Sequence, residues 1–217
     1  MADQFDVIVI GAGPAGENAV ARVVRGGLTA AVVEAELVGG ECSYWACIPS
    51  KALLRPVELA AAAARTPGLA VGPIDPDAVL ARRDAAVSGW NDAGQARWLA
   101  DLPAVLVRGR GRLAGPRRVE VTAPDGATRS LRARHAVVLA TGGRPVPPPV
   151  PGLAAAAPWT SREVTGMRAV PRRAAILGGG VVACETAQLL RGIGAAEVTV
   201  LVRGDGLLTR MEPHAGR

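Results

Sequence analysis

The sequence predicts an α/β protein made of two doubly wound, Rossmann-like nucleotide-binding units, the second cut short. Three observations predict it. A strand, glycine turn, helix and second strand follow one another from residue 5; the same series returns from residue 172; and the proline-rich stretch Val146–Pro151 reads as a stiff connector leading into the second series.

In the first series Phe5–Ile10 reads as a buried parallel strand, an unbroken apolar run but for Asp6. Gly11-Ala12-Gly13-Pro14-Ala15-Gly16 turns into a helix over about Glu17–Arg25, and a second strand, Thr29–Val33, ends at Glu34. The glycines have separate tasks: Gly11 permits the tight turn, Gly13 admits a pyrophosphate to the backbone, and Gly16 lets helix and strand pack closely. The helix N-terminus then offers partial positive charge to phosphate. Glu34 lies about 20 residues beyond, where a carboxylate accepts hydrogen bonds from a ribose diol.

Further along, an alanine-rich helix is expected over Lys51–Arg65, stopped by Thr66-Pro67-Gly68, and another over Pro76–Leu99. Short strands follow at Ala104–Arg108, Arg118–Thr122 and Ser130–Ala133, the last two joined by a Pro124-Asp125-Gly126 turn. His135–Ala140 is a buried strand running into Thr141-Gly142-Gly143-Arg144-Pro145. The second series comprises the strand Arg172–Leu177, the turn Gly178-Gly179-Gly180-Val181-Val182-Ala183, a helix through Arg191 and the strand Glu197–Val202. Two such units in one chain imply two dinucleotides.

Composition narrows the function. The chain has 217 residues, 49% hydrophobic and 20% charged, a globular composition with room for one large or two small domains at roughly 150 residues per domain. No run approaches the ~18 apolar residues of a membrane span, and the opening Met-Ala-Asp-Gln-Phe-Asp lacks a basic leader, so a cytoplasmic location is expected. The net charge of +6 comes from 25 basic residues spread along the chain. With one Phe and one Tyr there are few platforms for stacking bases, so nucleic acid is not an expected partner. Lys51 is the chain's lone lysine among arginines, beside two of its three cysteines, Cys42 and Cys47.

Three cysteines in a chain read as intracellular do not suggest a structural disulfide framework. Metal is disfavoured, because a structural zinc takes four ligands and His135 and His214 lie far away in sequence, so no metal site is expected. A redox pair and a pair of core thiols both remain open. Four intervening residues let two thiols approach in a loop entering a helix; if Pro49 or Ser50 opens that helix, its N-terminal field favours a Cys47 thiolate. Cys184, in the helix after the second glycine turn, reads as a buried small hydrophobe.

From Gly39 to Lys51 the chain reads GGECSYWACIPSK, and with the two glycine turns it resembles the pyridine nucleotide-disulfide oxidoreductase family, which includes glutathione reductase, dihydrolipoyl dehydrogenase and mercuric reductase. The resemblance covers the whole chain. It implies that Cys42 is the interchange thiol, that Cys47 is the thiol facing the flavin, and that Lys51 lies near flavin N5, paired in a buried site with Glu185. It implies FAD on the first unit, near Gly11, Gly13, Gly16, Glu34, Gly40 and the backbone of Gly111, Thr141 and Gly142, and a nicotinamide dinucleotide on the second, near Gly178 and Gly180. Arg203 follows the second strand where an acid would bind the ribose diol of NAD, which favours NADPH over NADH; Ala183 and Ala187 point the same way by resemblance. Between the cysteines, Tyr44 and Trp45 depart from the usual small or aliphatic residues, and are expected to narrow access to Cys42.

The implied organisation is an FAD-binding domain over 1–150 carrying the redox disulfide and an incomplete NAD(P)-binding domain over 151–217. Family members are homodimers, and their dimerisation domain, with a His-Glu acid-base pair, is not within these residues. A small-molecule or disulfide acceptor is expected, full turnover by this chain alone is not, and the open edge of the second unit is expected to make the isolated chain prone to aggregate.

Overall fold

The apolar runs at residues 4–10 and 30–34 become central parallel strands covered on both faces. The computed structural model describes residues 3–212 and 214–216. They divide into two units by contact, 1–47 with 87–144 and 48–86 with 145–217. This partition by packing differs from contiguous halves, because residues 48–86 pack with the segments after 145.

In the first unit, β1 (Gln4–Ile10) leads through α1 (Pro14–Arg25) to β2 (Ala30–Glu34), and the cysteine segment forms the short α2 (Gly40–Tyr44) and the start of α3 (Cys47–Ala64). After α4 (Pro76–Ala86), which belongs to the second unit, come α5 (Ala93–Asp101), β3 (Ala104–Arg108), β4 (Arg110–Leu113), β5 (Arg118–Thr122) and β6 (Thr128–Leu139). The sheet order is β3-β2-β1-β6-β5-β4. β3, β2, β1 and β6 run parallel, whereas β4, β5 and β6 form an antiparallel meander. Ile8, Ile10, Ala31 and Val33 face one way, against Val119, Val121 and Leu131 of the meander. Val7, Val9, Ala30 and Val32 face the other way, against Val20 of α1 and Leu99 of α5. Alternation along each strand thus produces two apolar layers on one sheet.

The second unit contains most of α3, α4, α6 (Ser161–Thr165), β7 (Arg173–Leu177), α7 (Val181–Gly192) and β8 (Glu197–Leu201), with β7 and β8 parallel. Its core joins Leu53 and Val57 of α3, Leu80 of α4 and Leu189 and Leu190 of α7. Arg83 of α4 is fully buried and donates to the carbonyls of Thr165 and Met167 and to the Asp84 carboxylate. A buried guanidinium is tolerable because its donors are so engaged.

Several expectations need correction. The helix expected over Pro76–Leu99 is broken: Ser88, Gly89 and Trp90 take φ values of 52°, 60° and 59°, left-handed backbone through which a right-handed helix cannot run. The strands expected at Ser130–Ala133 and His135–Ala140 are one strand, β6, which pairs antiparallel with β5 through its first part and parallel with β1 through the rest. The first helix starts earlier, with Pro14 in its first turn. α2, β4 and α6 were not foreseen; α6 has a capping box between Thr160 and Glu163. No helix among the described residues is long and apolar enough to cross a membrane.

Candidate cofactor and thiol site

The first glycine turn is built from backbone. Gly11 has φ of 101°, its N–H donates to the Val33 carbonyl at 2.8 Å, and a Cβ at Gly16 would run into the Gly11 carbonyl oxygen. Gly13 caps α1 in extended conformation with no side-chain cap. Glu34, at the end of β2, accepts from the Ala12 N–H through Oε2 and the Glu36 N–H through Oε1, both at 2.7 Å. The carboxylate that the sequence assigns to a ribose is thus fixed beside the glycine turn, and lone pairs remain for a diol.

The cysteine segment lies on this same turn. The Gly39 N–H donates to the Ala12 carbonyl at 2.7 Å, and Gly40 approaches Gly13 so closely that a Cβ on Gly40 would lie 2.8 Å from the Gly13 Cα. Cys42 is in α2 and Cys47 is the first residue of α3, both partly exposed. The helix thus begins at Cys47 itself, and not at Pro49 or Ser50 as expected. Gly111 on β4 meets Ile10 and Val33, so its lack of a side chain has a packing cause. Thr141 and Gly142 are exposed just after β6, next to Ala140, whose N–H donates to the Ile10 carbonyl.

The cysteine segment is held by Tyr44 and Trp45, for which the sequence suggested another task, and by Trp90, Asp92 and Arg108, which it did not single out. Tyr44 is 1% exposed, so it anchors α2 in the core and does not narrow access to Cys42, which corrects the expectation. Burial, with the Asp92 and Glu17 carboxylates nearby, pushes its phenol above the ordinary tyrosine range, and Arg108 opposes this. Burial also raises the Glu17 carboxyl. Trp45 meets Trp90 with ring centroids 5.7 Å apart and planes tilted by 36°, an arrangement that contributes about 1 kcal/mol beyond area burial. Asp92 accepts from the Val38 N–H at 2.8 Å and from Arg108 at 2.6 Å. Only pairings across 45 to 54 residues could have revealed this support.

In the second unit the glycine turn repeats the backbone design. Gly178 has φ of 115°, its N–H donates to the Leu201 carbonyl at 2.8 Å, and Gly180 caps α7 in extended conformation. The space around Gly178 and Gly180 is open. Matching the two bonded carbonyls puts Val202 in the position of Glu34, with exposed Arg203 next. Lys51 and Glu185 line one cavity of about 550 Å³, together with Ser50, Arg55, Glu58 and Arg82. Both are exposed and are not within ion-pair distance, so the buried Lys51–Glu185 pair is corrected to two charges on a shared wall. The cause is placement: Lys51, Arg55 and Glu58 follow the outward face of α3, and close packing of Gly192 on Val57 brings α7 alongside. Cys184 is partly exposed, with its sulfur 3.9 Å from the Gly179 carbonyl, and not fully buried as expected. Among the described residues no cluster of His, Cys, Asp and Glu could hold a metal.

Two backbone cradles of dinucleotide type, one bearing a cysteine pair, define the class, and comparison with known proteins agrees. Residues 5–217 match the family described as pyridine nucleotide-disulphide oxidoreductase, and the chain belongs to it. It is 36% identical to a dihydrolipoyl dehydrogenase of Chlorobaculum tepidum over 98% of this chain and 45% of the relative. It is 34% identical to a mercuric reductase of Acidithiobacillus ferrooxidans over 98% of this chain and 40% of that protein. Among solved structures, a Cu(II) complex of the HOCl-induced flavoprotein disulfide reductase RclA from Escherichia coli superposes with a TM-score of 0.82 at 22% identity, covering 98% of this chain and 45% of that one. The fold is thus the Rossmann-like one of that protein, and the chain spans less than half the length of the curated relatives it matches.

Proposed function

We propose that this chain carries the FAD-binding and NADPH-binding parts of a disulfide oxidoreductase whose Cys42–Cys47 pair passes two electrons to a small-molecule or disulfide acceptor. The observation that carries this reading is the backbone approach of Gly40 to Gly13, with the Gly39 N–H on the Ala12 carbonyl, because it seats the cysteine segment on the first glycine turn. The open cradle and the adjacent carboxylate fit FAD: Gly11, Gly13 and the α1 N-terminus would hold its pyrophosphate, Glu34 its ribose, and the Gly111, Thr141 and Gly142 backbone would complete the site. Bound FAD supplies a two-electron carrier between nicotinamide and sulfur.

The protein's own groups have distinct tasks. Cys47, at the start of α3, is the sulfur that faces the flavin, and Cys42 is the sulfur presented to the acceptor. Lys51 supplies a positive charge near the flavin, and Glu185 balances it across their shared cavity. Gly178, Gly180 and the α7 N-terminus hold the nicotinamide dinucleotide, while Val202 removes the acid that would repel a 2′-phosphate and Arg203 supplies a cation for it. Residues 1–150 act as the FAD part and 151–217 as the nicotinamide part, with a partner subunit completing acceptor chemistry in a cytoplasmic homodimer.

The test is a spectrum. Protein purified or reconstituted with FAD is expected to be yellow and to be bleached anaerobically by NADPH faster than by NADH. A chain that takes up no FAD overturns the reading, and bound flavin that neither nucleotide bleaches reduces it to a flavin-binding remnant. A second reading, an NADH-linked activity like that of dihydrolipoyl dehydrogenase, is favoured by the names of relatives such as the Chlorobaculum tepidum protein. It expects faster bleaching by NADH and little effect of Arg203→Glu.

A further inference from the structure

The segment Ser88–Asp92 has an unusual backbone, and its last three residues all touch the stretch around the two cysteines. Three successive residues, Ser88, Gly89 and Trp90, have φ between 52° and 60°, a conformation that a serine and a bulky tryptophan rarely adopt. Such backbone persists where surrounding contacts determine it. Here those contacts converge on the segment around the two cysteines. Trp90 lies against Trp45, which stands between Cys42 and Cys47; the Asn91 carbonyl faces the Tyr44 hydroxyl at 3.5 Å; and Asp92 accepts from the Val38 N–H just before Gly39 and Gly40. Arg108 holds Asp92 from behind at 2.6 Å, and Arg108 in turn donates to the Glu36 carbonyl at 2.9 Å. The grip therefore spans both sides of Cys42.

We propose that Trp90 is a positioning residue for the sulfur pair: through Trp45 it holds the α2 segment in place, so that Cys42 stays within reach of Cys47. This rests on the reading of Cys42 and Cys47 as exchanging sulfurs, and goes beyond it by giving a remote segment control over their chemistry. A disulfide requires a narrow range of separation and orientation. If the thiol segment is held near that geometry, little freedom remains to be lost when the link closes. Releasing Trp45 loosens the stretch between Tyr44, which stays anchored in the core, and Cys47, and the link becomes easier to reduce.

The test is an equilibrium of the full chain with dithiothreitol, read by alkylation and mass. Each turn of the exchange forms one S–S bond between Cys42 and Cys47 and releases two electrons and two protons to oxidised dithiothreitol, which opens to its dithiol. Trp90→Ala is expected to lower the equilibrium constant for closing the link about tenfold, equivalent to about 30 mV. Trp90→Phe, which keeps a ring against Trp45, is expected to restore most of it. A merely structural role would lower stability without moving this constant in the folded fraction. Should Trp90→Ala fail to fold, Trp90→Leu takes its place, with a several-fold drop expected. An unchanged constant in a folded variant overturns the proposal while leaving the function reading intact. Wild-type protein that forms no reversible Cys42–Cys47 link overturns both, and the two failures are distinguished because the second is seen without any variant.

Discussion

The two glycine turns share a backbone and differ in side chains. In each, a left-handed first glycine donates its N–H to a carbonyl of the next strand, Val33 in one and Leu201 in the other, and an extended glycine caps the following helix. What differs is the residue after the bonded carbonyl, Glu34 against Val202, and the residue that closes the turn, Gly16 against Ala183. Glu34 bonds the Ala12 N–H, whereas Val202 packs where a Cβ on Gly179 would fall. The two turns thus share main-chain geometry, and on the proposed function the choice of nucleotide rests on one or two side chains at the strand end.

The sharpest way to break the comparison is at the closing residue. Gly16→Ala forces a methyl group into the Gly11 carbonyl and is expected to cost about 3 kcal/mol or more in urea unfolding, whereas Ala183→Gly, at the matching point, is expected to cost about 1 kcal/mol. Next come the side chains proposed to select the nucleotide. Arg203→Glu is expected to weaken NADPH binding at least tenfold, about 1.4 kcal/mol, while leaving FAD affinity unchanged. Glu34→Gln replaces charge-assisted bonds to two backbone N–H groups and is expected to cost about 1–2 kcal/mol in stability and to weaken FAD binding, measured by flavin fluorescence.

The strand entrances differ as well. Asp6 accepts from the Thr29 N–H and hydroxyl and from Arg134, which, led by the Thr29 bonds, lowers its carboxyl to about 2. Since the folded-state value is depressed, its stabilising contribution is present above the ordinary carboxylate range and is lost as pH falls through that range to about 2. Asp6→Asn is therefore expected to flatten the decline of thermal midpoint over that acid window. The matching tie in the second unit, Arg173 to Glu197 at 3.0 Å, is solvent-exposed on both sides, and Arg173→Ala is expected to change stability by less than about 0.5 kcal/mol.

The nucleotide units were legible because their signals are local: an apolar run, glycines at fixed offsets and a charged or neutral residue at the strand end all lie within about 35 residues, as a βαβ unit requires. The cysteine motif was legible for the same reason. The break after Val87 was not, because Ser88 and Trp90 have no sequence preference for left-handed backbone, and tertiary contacts impose it. Nor was the role of Tyr44, whose burial depends on Asn91 and Asp92, far along the chain. Lys51 and Glu185 line one cavity and are exposed there; that exposure depends on which helix faces α3 and α7 turn outward, which motif spacing does not specify.

The most direct measurement is thiol trapping. FAD-loaded protein, oxidised and freed of reductant, is mixed anaerobically with NADPH, quenched with an alkylating reagent and digested. Two alkyl groups on the peptide carrying Cys42 and Cys47, appearing only after NADPH is added and absent when FAD is omitted, are expected. A peptide that stays unmodified while the flavin is reduced, or that is equally modified without NADPH, would contradict electron passage to this sulfur pair.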